Sequence, residues 1–340
     1  MKRKVKGANK VGISEIADAI GVSKSTVSRA LNDHPKISIE TKQKVLKHAQ
    51  RLGYKPNIPD LISNKKSKSI AIIIPHQQSL YLSNIIVSAR EYAASKGYSL
   101  FVCESNYDLE IERMCIEQIK SLGILSLIYV AHNKSEELEQ IDFLSKENFP
   151  LIIIHEMPLK NDVSTVMLDV HQSLFDGIKH LKSNGATRPA LIIDEVDDSV
   201  NKQVASLYES MVEELEMEYS KDNVIKASNA KLEITEAVNR LLSMKMPPNA
   251  IIFGSYTNAY RAWHIINERK DIKENILLMS INSNSLMLNA KPNITYLNLQ
   301  GAKLGTEAAR QAIKQIKKKD EISTKVYFSR LIIKSSSIKK

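Results

Sequence analysis

The sequence predicts a two-part fold: an N-terminal, all-α helix-turn-helix headpiece, followed by an α/β core of two parallel-sheet subdomains. The first sixty residues show apolar side chains at helical spacing, interrupted by a glycine turn. The rest of the chain alternates short aliphatic runs with amphipathic stretches, as parallel sheets covered by helices do. With 340 residues, 43% of them hydrophobic, the chain can bury a sizeable core, which excludes wholesale disorder.

The composition also excludes several classes of protein. Cys103 and Cys115 are the only cysteines, too few for a disulfide framework or a multi-cysteine zinc site. No apolar segment of signal-peptide type follows the basic N-terminus, and aliphatic runs such as Ile70 to Ile74 are far too short to span a bilayer. We therefore expect a soluble, cytoplasmic protein of more than one domain.

Three short helices are predicted in the headpiece. The first carries apolar residues at positions 13, 16, 17 and 20, and Gly21 allows the tight turn after it. Ser23 and Ser38 are the expected N-caps of the second and third helices, since a serine hydroxyl satisfies an orphan amide. The apolar stripe of the third helix is Val45, Leu46, Ala49 and Leu52. This pattern predicts a helix-turn-helix, whose second helix would enter the major groove of DNA; a generic three-helix bundle is the alternative.

The positive charge is concentrated at the same end of the chain. Residues 1–68 hold 16 of the 48 Lys and Arg residues but only 5 of the 38 Asp and Glu residues. A basic segment on a neutral body indicates an anionic partner, and charge alone leaves DNA, RNA and an anionic membrane open. Hydroxyls on the outer face of the second helix can bind phosphate oxygens, and Arg29 can offer guanine a bidentate contact.

One stretch of the sequence indicates the function of the headpiece more specifically than its helical periodicity does. The residues VGISEIADAIGVSKSTVSRALNDHPKISIETKQKVLKHAQRLGYKPN, at about 11–57, resemble the DNA-binding headpiece of the lactose-repressor (LacI/GalR) family of bacterial transcriptional regulators. The resemblance implies that Lys24, Ser25 and Arg29 read bases. The residues that it implies to contact phosphates or bases are Ser14, Ser23, Lys24, Ser25, Thr26, Ser28, Arg29, Asn32, Lys36, Ser38, Thr41, Tyr54 and Asn57.

The linker after this headpiece departs from the family pattern. In the family, the segment forms a hinge helix on DNA and wedges a leucine between base steps of the minor groove, where unstacking permits a kink. Here the linker is about one residue shorter and holds Pro59, which a helix tolerates only in its first turn. Leu61 or Ile62 could act as the wedge, and a plain flexible tether is the alternative.

The core is predicted to consist of strands alternating with helices. The predicted strands are Ile70–Ile74, Ser99–Cys103, Leu125–Val130, Leu151–His155, Thr165–Leu168, Ala190–Ile193, Val224–Lys226, Ala250–Phe253 and Ile276–Ser280. Predicted helices include Ser83–Lys96, Glu110–Ser121, Leu174–Ser183 and Val200–Glu216. So many units exceed one compact sheet, and we expect two subdomains whose strand ends face each other across a ligand cleft.

The family resemblance extends more loosely into the core through SIAIIIP and AREYAASKGYSLFVCESN. It implies a periplasmic-binding-protein-like core that forms a homodimer, and a dimer would bind a pseudo-palindromic DNA operator. The expected domains are a headpiece at 1–57, a linker at 58–68 and a core at 69–340. Within the core, the N-subdomain is expected at about 69–166 and 295–323, and the C-subdomain at about 167–294 and 324–340.

The predicted cleft departs from the pattern of the family's sugar-binding members. Those members carry an Arg after the sixth strand and acids after the next two, whereas this chain has Gln203, Ser255-Tyr256 and Ile281-Asn282. A sugar without such partners is held poorly, so either the small-molecule effector is of another kind or effector control has decayed. The candidate effector-binding residues are His76, Tyr81, Asp169, Gln203, Tyr256 and Asn282. Each could instead be an ordinary loop or core residue, and the effector class, a sugar derivative included, stays open.

No sequence motif indicates an enzyme. Dinucleotide and Walker loops, GxSxG and HExxH are absent, and the eight histidines lack metal-ligand spacing. The acidic cluster at 194–198 is expected to be a solvated loop or helix start, with a metal or acid/base site as the alternative. Cys103 and Cys115 are expected to be small buried residues rather than nucleophiles. We expect no enzyme activity, no cofactor and no metal.

Three functions remain. The first is a transcription regulator, with repression as the expected outcome, that binds an operator as a dimer and responds to an effector in the cleft. The second is a DNA-binding regulator with a degenerate cleft, controlled by a protein partner or by no ligand. The third is a solute-binding protein or enzyme with an incidental basic head, which neither an export signal nor a catalytic motif supports.

Overall fold

The computed structural model describes residues 12–31, 34, 36–52, 68–76, 79–131, 141–142, 144–147, 149–155, 163–194, 199–227, 230–269, 276–282, 291–317 and 322–339. The chain separates into two compact units, 1–67 and 68–340, each with its own core. The predicted DNA contacts Asn32, Tyr54 and Asn57 lie outside the described residues, as do the wedge candidates Leu61 and Ile62.

Three helices form the headpiece, at Ile13–Ile20 (α1), Lys24–Leu31 (α2) and Ile39–Arg51 (α3). Gly21 has a left-handed φ of 70°, and its N–H donates to the carbonyl of Ala17, which ends α1. The hydroxyls of Ser23 and Ser38 accept from the backbone three residues on, so both predicted N-caps are confirmed. The small core consists of Ile16, Ala17, Val27, Ala30, Val45 and Ala49.

The apolar stripe of α3 is narrower than the sequence predicts. Val45 and Ala49 are buried, whereas Leu46 is 54% exposed and Leu52 is 38% exposed. Successive residues are turned by about 100° around a helix, so Leu46 lies well away from the Val45 face, and Leu52 follows the last helical residue. The short helices α1 and α2 cover only one narrow strip of α3.

Two six-stranded sheets form the core unit. Strands β1 to β12 lie at Ser69–Ile74, Ser99–Glu104, Leu127–Val130, Leu151–His155, Ser164–Asp169, Pro189–Asp194, Val224–Ala227, Ala250–Phe253, Leu277–Ser280, Thr295–Asn298, Thr324–Phe328 and Arg330–Ile332. The first sheet has the order β11-β5-β4-β3-β1-β2 and the second β12-β10-β9-β8-β6-β7. Their pairs are parallel apart from the antiparallel pair of β10 and β12. The predicted pair of parallel-sheet subdomains is confirmed.

Helices flank both sheets. Helices α4 to α10 lie at Leu80–Ser95, Leu109–Ser121, His171–Ser183, Ser199–Glu214, Lys231–Leu242, Tyr256–Glu268 and Gly301–Lys317. Every residue of β1 is buried, which explains its unbroken aliphatic run, since a strand covered on both faces does not alternate with polar residues.

The strand pairing corrects the predicted division into subdomains. Residues 295–298 (β10), expected in the N-subdomain, pair with β9 in the second sheet. Residues 324–328 (β11), expected in the C-subdomain, pair with β5 in the first sheet, and only β12 joins the second. The chain therefore passes between sheets after β5, after β10 and between β11 and β12. Sheet membership is decided by partners far apart in sequence, which local periodicity does not reveal.

Two glycines allow α10 to pack closely on α4. A Cβ atom on Gly305 would lie 2.1 Å from the carbonyl oxygen of Ile85, and one on Gly301 would lie 2.6 Å from that of Tyr81. Only a residue without a side chain permits this approach of two helix backbones. These contacts fix the start of α4, where the candidate Tyr81 stands.

Candidate nucleic-acid interface and ligand cleft

Helix α2 has one buried face and one exposed polar face. Val27 and Ala30 are buried in the headpiece core, while Lys24, Ser25 and Arg29 are exposed. Apolar residues at i and i+3 hold the helix against its neighbours, so the three predicted base-reading side chains stand together on the outside. The structure therefore shows all three on the exposed side of α2.

The N-termini of α2 and α3 carry the same arrangement of hydroxyl groups. At α2, the Ser23 hydroxyl lies 2.8 Å from that of Thr26 and accepts from the Thr26 N–H at 3.1 Å. At α3, the Ser38 and Thr41 hydroxyls are also 2.8 Å apart, and the Thr41 N–H donates to Ser38 at 3.3 Å. Helix N-termini favour anions because their first amides point outward unpaired. Each Ser–Thr pair can therefore place a hydroxyl beside a phosphate oxygen.

The other predicted DNA contacts are spread around this face. Ser25 joins the first hydroxyl group, at 2.8 Å from Ser23. Lys36 is exposed in the loop before α3, while Ser14 and Ser28 are partly buried. The exposed Glu40 is paired with Lys44 at 2.9 Å, and this hydrogen bond lowers the pKa of the Glu40 carboxyl. The pairing neutralises an acid beside the cationic surface.

The candidates of the first sheet lie at the carboxyl ends of its strands, where ligands of parallel sheets bind. His76 follows β1 and is partly buried, and its ring lies 5.6 Å from that of Tyr107, which follows β2. Tyr81 is 9% exposed and packs in the main core at the start of α4. Tyr107 was missed by the sequence reasoning, although its position just after a strand was the available signal.

Asp169 stands where the chain leaves the first sheet. Its carboxylate accepts from the N–H of His171 at 2.7 Å and so caps α6. Its carbonyl accepts from the N–H of Ser329 at 2.9 Å, and Ser329 also contacts the hydroxyl of Ser173. Ser329 lies between β11 and β12, the last passage between the sheets. Asp169 therefore ties two crossing segments together, a role that the sequence did not predict.

The two candidates of the second sheet, Tyr256 and Asn282, lie in different surroundings. Tyr256 is 2% exposed in an apolar cluster, its hydroxyl accepts from the N–H of Ile294 at 3.4 Å, and burial raises its pKa. A side chain packed into the core in this way is not presented to a ligand, which corrects its expected place in the pocket. Asn282 is partly buried, and its amide oxygen caps α9 by accepting from the Tyr256 N–H at 3.0 Å.

The start of α7, after β6, adds an unexpected polar group. Gln203 is partly buried there, and its neighbour Asn201 is only 4% exposed. The Oδ1 atom of Asn201 is buried and finds no hydrogen-bond partner among the described residues. A buried polar atom left without a partner costs about 1–3 kcal/mol, which a ligand donor would relieve. The sequence offered no signal for Asn201 beyond its place in the first turn of a helix after a strand.

The acidic cluster and the expectations about metal sites and membrane spans concern other parts of the chain. Residues 195–198 of the acidic cluster lie outside the described part of the chain. Within the described part, no group of three or more His, Cys, Asp or Glu residues could hold a metal ion. Nor does any helix in these ranges combine the length and apolar character needed to cross a membrane.

Comparison with known proteins gives two family matches. Residues 12–57 match the profile of bacterial regulatory proteins of the lacI family, and residues 178–337 match a periplasmic binding protein-like domain. Catabolite control protein A of Priestia megaterium is 23% identical over 312 residues, covering 91% of this chain and 93% of that protein. The HTH-type transcriptional repressor PurR of Haemophilus influenzae is 24% identical over 316 residues, covering 91% and 92%.

Two solved structures share the fold over nearly the whole chain. The lac repressor dimer bound to operator and the anti-inducer ONPF has a TM-score of 0.72 at 15% identity, covering 97% of this chain and 100% of that one. The transcriptional regulator CelR in complex with cellobiose has a TM-score of 0.69 at 19% identity, covering 96% and 99%. At these identities the likeness concerns the fold.

Proposed function

Because the chain belongs to the LacI family of bacterial regulatory proteins, a family of DNA-binding transcription regulators, we propose that it represses transcription as a dimer on a pseudo-palindromic operator. A small molecule between the two sheets of the core would control that binding. The protein would work in the bacterial cytoplasm, on the nucleoid when bound. The exposed Lys24, Ser25 and Arg29 face of α2 is the observation that carries the proposal.

The proposed DNA contact uses the headpiece surfaces described above. Helix α2 lies in the major groove, where Arg29 donates two hydrogen bonds to a guanine and Lys24 and Ser25 contact neighbouring bases. The Ser23–Thr26 and Ser38–Thr41 pairs bind phosphates and fix the register of the helix. The predicted contacts Ser14, Ser28 and Lys36 lie at the margin of this surface and add phosphate contacts.

We assign dimerisation to the free edge of the first sheet and the helices beside it. Strand β2 is an edge strand, and it exposes Phe101 (44%) and Val102 (40%). Helix α5 exposes Met114 (60%), and α4 exposes Val87 (42%). A monomer that leaves an apolar edge of this kind open invites pairing with another chain. A second copy of this chain is the partner that we propose for this edge, because two half-sites require two headpieces.

Sedimentation of the Met114→Glu variant tests this surface, and it should show monomers where the parent chain is dimeric.

The effector site is proposed at the carboxyl ends of the strands. His76, Gln203 and Asn282 line it, with Tyr107 and Asn201 as additional residues, and Tyr81 positions the loop before α4. Amide and imidazole groups suit a neutral, hydroxylated or amide-bearing molecule better than an acid. Asp169 acts there through the crossing segments: closure of the cleft on a ligand changes the Asp169–Ser329 contact and thereby the angle between the sheets.

A second candidate, control by a protein partner, is favoured by one surface of α10. Its exposed side carries Lys303, Arg310, Lys314 and Lys317, and the first two of these line a cavity of about 320 Å³. The one acid lining that cavity, Glu307, is 5% exposed and accepts from Arg310 at 2.5 Å. A basic stripe on a core with little net charge fits an acidic protein surface. Under this candidate, Lys314→Glu with Lys317→Glu abolishes repression in cells while the operator affinity of the purified protein is unchanged.

Selection of genomic DNA fragments by the purified full-length protein tests the proposal. The expected result is an enriched pseudo-palindrome whose binding weakens steeply with salt. Repeating the selection with a metabolite pool tests the effector: a change in enrichment supports the cleft, and no change favours the second candidate. No enriched sequence from folded, dimeric protein would contradict the proposed function.

A further inference from the structure

The fold brings the two cysteines of the chain together. Cys103 lies on β2, where the strand register pairs it with Ile73 of β1. Side chains in register on neighbouring parallel strands point to the same side of the sheet, so Cys103 shares the side of Ile73. Helix α5 covers that side with Ile116 and Ile119, and Cys115 stands next to Ile116 on it. Both cysteines pack against the same apolar cluster from opposite elements.

The two thiols are close neighbours, and both are partly exposed. The Cys115 thiol lies near enough to Cys103 to interact with it electrostatically, and both cysteines are free and only partly buried. Burial, and next the neighbouring Cys115, raise the pKa of the Cys103 thiol to about 12. Cys103 therefore keeps its proton at neutral pH, and attack on an oxidant would start from Cys115.

We propose that Cys103 and Cys115 form a redox site that closes to an intramolecular disulfide when the protein meets a low-molecular-weight disulfide. The Cys115 thiolate attacks one sulfur of that disulfide, forms a mixed disulfide and releases one thiol. Cys103 then loses its proton to solvent, and its sulfur attacks the Cys115 sulfur and displaces the second thiol. In sum, two protein thiols and one small disulfide yield one protein disulfide and two small thiols.

The location gives this exchange a structural consequence. The new bond would join the edge strand β2 to α5 and close a short loop through Asn106 and Tyr107, both of which have positive φ values of 50° and 63°. Phe101 lies two residues before Cys103 on the same strand face, Met114 precedes Cys115 on α5, and both side chains are exposed. The disulfide would hold these side chains of the proposed dimer surface in place. This effect on self-association, unlike the disulfide itself, rests on the proposed function.

Oxidation of the folded, full-length protein tests the site. Oxidised glutathione is added to the reduced protein under native conditions, and free thiols and intact mass are followed. We expect both thiols to disappear without any disulfide between chains, with a mass loss of two hydrogen atoms per chain and full reversal by dithiothreitol. In Cys103→Ser and in Cys115→Ser the remaining thiol cannot be resolved internally, so Cys115 of the first variant should accumulate a glutathione adduct.

Three outcomes would overturn the proposal: two thiols that stay free, glutathione adducts on the parent chain that persist, or disulfides only between chains. These readouts need neither DNA nor effector, so their failure is distinct from failure of the proposed function. Circular dichroism of each variant shows that it is folded before the exchange is scored. Sedimentation of the oxidised and reduced chains then measures whether the bond shifts self-association.

Discussion

Replacing Gly305 by alanine tests the packing that positions the start of α4. The added Cβ would stand 2.1 Å from the Ile85 carbonyl oxygen and 2.3 Å from the Ser88 hydroxyl, whereas non-bonded contacts need about 3.5 Å. Neither obstacle can rotate away, because one is backbone and the other hydrogen-bonds the Asn84 and Ile85 carbonyls. The helices must separate by on the order of 1 Å. Overpacking of this kind costs about 3 kcal/mol, and alanine returns about 1 kcal/mol of helix propensity.

Gly177→Ala provides the matched control. Gly177 also lies inside a helix, α6, but its Cβ would meet the thioether of Met279 at 2.6 and 2.9 Å, which is the far end of a flexible side chain. We expect Gly305→Ala to lower the thermal midpoint of the core by about 4–8 °C, for a net loss of about 2 kcal/mol, and Gly177→Ala to change it little. Equal midpoints for the two variants, measured by circular dichroism, would refute the argument from backbone contact.

Two further predictions concern a partly buried histidine and a buried tyrosine. His180 contacts the Ser337 hydroxyl at 2.8 Å, and burial lowers the pKa of its imidazole from 6.5. The contribution of the neutral imidazole to the free energy of unfolding is therefore complete above pH 6.5, and it is lost as the pH falls towards the lowered pKa. Urea midpoints between pH 7.5 and 5.5 should therefore fall more for the parent chain than for His180→Gln, and parallel declines would contradict this. Tyr129→Phe should cost about 1–3 kcal/mol, because the Tyr129 hydroxyl donates to the buried Glu112 carboxylate at 2.6 Å; an unchanged urea midpoint would show that other contacts suffice.

The sequence was most informative where local spacing and residue type decide the structure. The nine predicted strands are present because parallel strands need continuous aliphatic runs, such as Ala250–Phe253, and their covering helices need a 3.6-residue repeat. The headpiece turn followed from Gly21, which alone accepts the left-handed φ at no cost. These features depend on neighbours within a few residues.

The sequence was least informative where partners are distant. Nothing local distinguishes β10 from β11, yet they belong to opposite sheets, because each joins the strand whose edge it reaches. Tyr256 shows the same limit for a side chain: the first turn of a helix after a strand fits both a pocket and a core, and only packing against Tyr296 decides. The meeting of Cys103 and Cys115 likewise depends on how α5 lies across β1 and β2.

Operator affinity of Arg29→Ala, measured against Arg51→Ala, tests directly whether α2 reads DNA. Both variants remove one exposed guanidinium from the headpiece, but Arg51 ends α3 and lies outside the proposed base-reading face. On the fragment enriched by selection, we predict that Arg29→Ala loses about 1–3 kcal/mol of specific binding, or about 5- to 150-fold in affinity, while both variants lose the same small amount on random DNA. Equal losses for the two variants on the enriched fragment would contradict a reading role for α2.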